Sequence, residues 1–442
     1  MRSLAGKTIF ESPLGNYLES LGTISTGDPQ RNNKILRDLI TGRNDWLIYP
    51  EGTMVKNKYI TNNKLFHLNT PKHKRNIYTG SAVLALQTEL LKKEFLIAHE
   101  EKDHKKLADL RSELLLNPND LPTPHNLNIV PVSINYYPIR PGHSKLEKLI
   151  LKLITKPSER ILEEIEIETN LLQNSEIIIY FSKPINVYEY IKTKRRFAYK
   201  IPVISNNTKK NLLINFFRTR LTHLFMQQVY NNCYINIDHI FANILYFYPF
   251  KKISIQHLKD LIYIISREIR KLEKYNLHKS VDSKLIEIFK YDHGPFLNCI
   301  YKLAIKQQIL TFAENNELLI NHQKLRHEEY HQMRINNTLR IFINEMRKFK
   351  DVQSIFKKNI FLPNIVIQNK TIKTIIRSDI KEFHEDYEKY YDKNETKPRE
   401  NGAPFFLEAK HSDIGIILSH GYKSSPEEVR LLAKFFHKQG YN

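Results

Sequence analysis

The chain is poor in cysteine, tryptophan and glycine, and it has no long apolar run. Only Cys233 and Cys299 occur among 442 residues. They lie far apart without metal-type spacing, which excludes a disulfide-stapled scaffold and fits a reducing compartment. No stretch approaches the roughly 18 apolar residues of a spanning helix. The longest candidate, Ile240 to Phe250, is too short. Met1-Arg2-Ser3-Leu4-Ala5-Gly6 has no apolar signal-peptide core, so secretion is not expected. Acidic residues are scarce beside basic ones, 47 against 68, giving a formal charge of +21. Such a charge attracts anionic lipid surfaces and nucleic acid alike. The basic residues are spread along the chain and no recognition motif for nucleic acid occurs, so nucleic acid is not an expected partner. With 41% hydrophobic and 11% aromatic residues the chain is expected to fold, and its length suits two or three domains.

What is present centres on Tyr49-Pro50-Glu51-Gly52-Thr53, directly after the apolar Trp46-Leu47-Ile48. A carboxylate, a glycine and a hydroxyl at the carboxyl end of a strand form a polar-ligand site. A plain turn closed by Pro and Gly is the competing reading. Four further blocks flank it. Upstream are Pro13-Leu14-Gly15-Asn16-Tyr17-Leu18 and Leu21-Gly22-Thr23-Ile24-Ser25-Thr26-Gly27-Asp28. Downstream are Tyr78-Thr79-Gly80-Ser81-Ala82 and Asn128-Ile129-Val130-Pro131-Val132-Ser133-Ile134. Periodicity predicts strands near 20–26, 45–49, 127–136 and 176–182, with helices near 30–42, 79–92 and 160–172.

In this order and at these intervals the blocks resemble the glycerolipid acyltransferase family, over roughly residues 9 to 190. The resemblance implies an α/β acyltransferase core. It would move a fatty acyl group from an acyl thioester to a glycerol-phosphate-type acceptor in phospholipid synthesis. Glu51, Gly52 and Thr53 would line the acceptor site, and Val130, Pro131 and Val132 would form the acyl-side wall. The donor would be acyl-CoA or acyl-carrier protein, with no metal and no other cofactor. The expected location is cytoplasmic, with peripheral contact on an anionic inner membrane face.

The chain departs from the family pattern. Met54 and Gly27 stand where arginines are usual, leaving Arg31, Lys56 and Lys58 to supply phosphate-binding charge. A lysine is a point charge rather than a bidentate fork, so that site would be looser. The family's His-x4-Asp base precedes these blocks, but no histidine here precedes His67. His104 and Asp109 match the spacing, yet five residues apart they do not share a helix face. No catalytic residue is assigned, and turnover is expected to be impaired. The alternative is a non-catalytic lipid-binding remnant, or a fragment of an acyltransferase–hydrolase fusion.

Residues 1–200 are therefore read as the acyltransferase unit, with a charged insertion near 93–125. From 205 to 390 helical periodicity dominates, as in Leu258, Leu261, Ile262, Ile265 and Ile269, and Gly294 is the one glycine. That region is expected to be all-helical. Residues 391–403 read as a linker, and 404–442 as an incomplete α/β-hydrolase start. In the last, a strand at Ile414–Leu418 leads through Ser419-His420-Gly421 to a helix capped by Ser425 with Pro426 at its first position. No Gly-x-Ser-x-Gly elbow occurs, so serine hydrolysis is excluded.

Overall fold

A computed structural model describes residues 1–10, 14–52, 67–69, 74–140, 175–194, 206–281, 283–290, 294–328, 333–409, 412 and 414–442. The architecture is mixed α/β, dominated by helices with several small sheets. The chain opens on a parallel sheet of β1 (Arg2–Ala5), β2 (Thr23–Ser25) and β3 (Trp46–Leu47), in the order β2-β1-β3. Parallel strands need crossover connections, and α1 (Arg31–Thr41) carries the chain from β2 past β1 to β3. Its Ile35, Leu36 and Ile40 recur at helical spacing and are buried. Gly42 ends it in the left-handed region at φ +71°, which a side chain would strain. The fully buried Asp38 pairs with Arg2 of β1 at 3.3 Å and with Arg37 at 3.1 Å.

Helix α2 (Gly80–Glu100) runs beyond the predicted 79–92, and α3 (His104–Glu113) follows it. Phe95, Leu107, Leu110 and Leu114 join Ile35 and Leu84 in one buried cluster. The stretch expected as a charged insertion thus contributes apolar residues to the core, while Lys102 and Lys105 remain in solvent. The helix expected at 160–172 lies outside the described residues.

The strand expected at 127–136 is two strands, β4 (Asn128–Ile129) and β5 (Val132–Tyr137). Pro131 between them has no N–H to give to a ladder, so pairing changes partner there. β5 pairs antiparallel with β6 (Glu176–Phe181), and β4 with β7 (Ile185–Asn186). The long α4 (Asn206–Asn231) buries Ile214, Phe217, Leu221, Phe225 and Met226 against Ala82, Leu86, Ile185 and Val187.

The region from 205 to 390 is not all-helical. Beside α5 (Ile237–Phe247), α6 (Ile255–Arg270), α7 (Gly294–Lys306), α8 (Thr338–Met346), α9 (Lys350–Ile360) and α10 (Asn364–Tyr390), it holds two small sheets. β8 (Tyr234–Ile235) pairs parallel with β10 (Asn276–Leu277). β9 (Lys252–Ser254) pairs with β12 (Glu317–Ile320), which also pairs with β11 (Leu310–Phe312). The β11–β12 hairpin turns without glycine because Asn315 and Asn316 take φ values of +59° and +55°. The apolar periodicity of α6 holds: Leu258, Leu261, Ile262, Ile265 and Ile269 are all buried in the largest cluster.

At the far end, α11 (Pro426–Lys438) forms where expected, with Pro426 in its first turn. The strand expected at Ile414–Leu418 does not form. A strand requires a paired neighbour, and Ile414 and Ile416 exchange backbone hydrogen bonds with Asn442 alone among the described residues. Ile417 is 96% exposed.

Candidate functional site

The Tyr49-Pro50-Glu51-Gly52 segment leaves β3 at the carboxyl edge of the parallel sheet. It closes as a turn, with Gly52 N–H donating to the Tyr49 carbonyl at 3.2 Å. Gly52 sits at φ +59°, a conformation a side chain would strain. The adjacent Glu51 is partly buried, and its Oε1 accepts a 2.5 Å hydrogen bond from the Tyr230 hydroxyl. Thr53, Lys56 and Lys58 lie outside the described residues. Arg31 opens α1, just past the loop that leaves β2, on the other side of β1 from Glu51. Its Nη1 donates to the Thr26 carbonyl and its Nε to Asn32 Oδ1, both at 3.0 Å. Arg31 therefore braces the loop between β2 and α1. His104 and Asp109 are both exposed on α3, and no hydrogen bond joins them.

The end of α4 gathers the second candidate block. Just beyond Tyr230, the Asn232 carbonyl accepts from Ser133 Oγ at 3.3 Å and from Asn135 Nδ2 at 3.2 Å. Its amide donates to Ser182 Oγ. One helix terminus thus touches both the Glu51 loop and the strand that follows Val130-Pro131-Val132. Of those three, Pro131 is buried, Val132 is partly buried and Val130 is exposed. In the β5–β6 register Val132 faces Phe181, Ile134 faces Ile179 and Tyr136 faces Ile177. Period-two alternation puts all six on one side of the pair. Ile134, Ile177, Ile179 and Phe181 are exposed there, so the apolar surface extends well past the three predicted residues.

A third group lies just beyond α4. Cys233 Sγ, His239 Nε2 and a Glu345 carboxylate oxygen fall within 4.8 Å of one another, a donor set that a transition metal accepts. The protons argue against it. His239 Nδ1 accepts the Asn236 N–H at 3.2 Å, closing a capping box at the start of α5. Ligation through Nε2 needs the hydrogen on Nδ1, where that N–H already points. The proton therefore sits on Nε2 and is donated to Glu345 Oε2 at 2.9 Å. Burial opposes a charged imidazole here, but Cys233 and Glu345 outweigh it and raise the His239 pKa. The second proton that this favours is resisted by the Asn236 N–H. As built, the group is a buried hydrogen-bonded junction.

Neither Tyr230 nor Asn232 was marked as functional by the sequence, since each acts on segments remote in the chain. The Asn236-x-x-His239 spacing is a capping signal that local reading does hold. Comparison with protein-family models and with curated protein sequences returns no match. Among the described residues, no helix is long and apolar enough to cross a membrane.

Proposed function

We propose that the chain moves a fatty acyl group from an acyl thioester to a glycerol-phosphate-type acceptor in phospholipid synthesis. One observation carries this reading. The end of α4 holds the Glu51 turn through Tyr230 and the post-Val-Pro-Val strand through Asn232, so two blocks distant in sequence share one support. In the reaction the acceptor hydroxyl oxygen bonds to the thioester carbonyl carbon, the C–S bond breaks, and the hydroxyl proton leaves with the thiol. A thioester is already activated, so orienting the acceptor contributes much of the rate. Glu51, fixed by the Tyr230 phenol, is placed to accept from glycerol hydroxyls. Gly52 lets the backbone approach the ligand closely. The apolar face around Val132, Ile134 and Ile179 offers a wall for the acyl chain. The donor is acyl-CoA or acyl-carrier protein, and the setting is the cytoplasmic, anionic face of a membrane, contacted peripherally.

A second reading, a non-catalytic lipid-binding module, is favoured by Arg31 being spent on the loop between β2 and α1. Transfer from labelled acyl-CoA to lysophosphatidate and to glycerol-3-phosphate separates the two. Activity in the intact chain that falls in Glu51→Ala supports transfer. Saturable acceptor binding without transfer, weakened by the same substitution, supports the module. Neither binding nor transfer removes both.

A further inference from the structure

Three guanidinium groups gather around one tyrosine ring in the 205–390 region. The Cζ atoms of Arg326, Arg340 and Arg347 lie 5.9, 5.3 and 5.9 Å from the Tyr246 ring centroid. Tyr246 stands in the last turn of α5. Arg340 lies on α8 and Arg347, two helical turns on, caps its end. Arg326 closes the short helix His322–Arg326. Like charges held this close repel, and a tyrosine ring relieves only part of that. Among the described residues one carboxylate, Glu328, is paired with them. Arg340 takes it: its Nε donates to Oε1 at 2.8 Å, with Nη2 2.6 Å from the same oxygen. Arg347 Nη1 stands 3.9 Å from that oxygen, beyond a hydrogen bond. Arg326 is exposed and forms no ion pair among the described residues. The count is three positive charges to one negative, and the cluster reaches solvent, since the Arg347 side chain is 25% exposed and that of Glu328 32%.

We propose that this cluster binds a phosphate group carrying two charges, whose dianion matches the excess of Arg326, Arg340 and Arg347 over Glu328. Arg326 and Arg347 receive its oxygens, since a planar guanidinium fork fits phosphate. Arg340 keeps Glu328 engaged and its charge offset. The partly buried Tyr246 makes no hydrogen bond among the described residues, so its hydroxyl is a further donor. A monocarboxylate would offset one charge and leave the other. A free phosphate and a phosphomonoester lipid headgroup share this chemistry. The cluster includes neither Glu51 nor the β5–β6 face, so it does not depend on the acyl-transfer reading.

The test is calorimetric titration of the full chain with inorganic phosphate and with acetate, at alkaline pH and at ionic strength held constant with chloride. Saturable phosphate binding, tighter than acetate, is expected. Arg326→Gln, at an exposed position that folding does not depend on, should weaken it at least tenfold. Glu328→Gln removes a repelling charge and should tighten it severalfold, a gain that disturbed folding does not produce. Sedimentation with phosphatidylcholine vesicles containing phosphatidate then assigns the source. Capture that Arg326→Gln loses assigns the site to a lipid headgroup, and phosphate binding without capture assigns it to a free phosphate. Absence of saturable phosphate binding to the unsubstituted chain overturns the proposal. So does unchanged affinity in Arg326→Gln, weaker binding in Glu328→Gln, or acetate binding as tight as phosphate.

Discussion

The Tyr230 phenol donates to Glu51 across a sequence separation of 179 residues, at 2.5 Å. Tyr230 is 2% exposed and anchored in the α4 cluster, so the bond holds a loop carboxylate against a fixed point. If Glu51 orients the acceptor, Tyr230→Phe keeps the ring's packing and removes the hydroxyl that holds the carboxylate. A charge-assisted hydrogen bond contributes about 1.5–3 kcal/mol, so transfer should fall roughly tenfold or more. The melting temperature should move little. Transfer at the unsubstituted rate would remove Tyr230 from the site.

Much of this was legible locally. The apolar spacing of α6 and the Pro50–Gly52 turn were read from single segments, because period and turn chemistry are short-range signals. Pro131 also announced its break, though a continuous strand was expected through it. The β11–β12 hairpin was not read because its turn uses Asn315 and Asn316 in place of glycine. The Tyr230–Glu51 and Asn232–Ser133 contacts join remote segments, and no periodicity encodes them. The single-strand expectation at 414–418 failed for a related reason: strand formation depends on a partner rather than on the strand's own residues.

The Cys233–His239–Glu345 junction makes a prediction about metal. Because Nδ1 of His239 accepts the Asn236 N–H, equimolar Zn²⁺ should leave the melting temperature unchanged. His239→Ala should cost about 2–3 kcal/mol, since it removes the acceptor of the buried Asn236 N–H and a donor to the Glu345 carboxylate. A saturable zinc-dependent rise in melting temperature that disappears in Cys233→Ser would show the junction to be a metal site.

Asp38 supports the parallel sheet from beneath. Its carboxylate is fully buried, whereas the Arg2 and Arg37 side chains retain 32% and 22% exposure. That exposure screens the pair, so Asp38→Asn should cost about 2 kcal/mol rather than the larger loss of a wholly buried ion pair. The denaturation midpoint should fall with the slope unchanged. A change within about 0.5 kcal/mol would show that the Asp38 pairing makes no net contribution to stability.

Glu268 should dominate part of the acid response of the helical region. Burial alone would raise its pKa, but Lys370 and the Asn359 amide outweigh burial and hold it below the usual glutamate range. A carboxylate depressed on folding contributes stability that is complete above its unfolded pKa of about 4.3 and lost as pH falls through the folded value. Stability measured by urea from pH 6 downward should therefore drop less steeply below about pH 4.3 in Glu268→Gln than in the parent. Parallel curves would show that the pair contributes nothing to acid sensitivity.

The packing of α4 determines where the chain can be divided. Its apolar face closes over Ala82, Leu86, Ile185 and Val187, so a piece ending before Asn206 would leave that surface open and prone to aggregate. Autonomous folding of the first part requires the helix through Asn231. Domain dissection and limited proteolysis should accordingly yield a durable amino-terminal product only when cleavage falls behind this helix, never ahead of it.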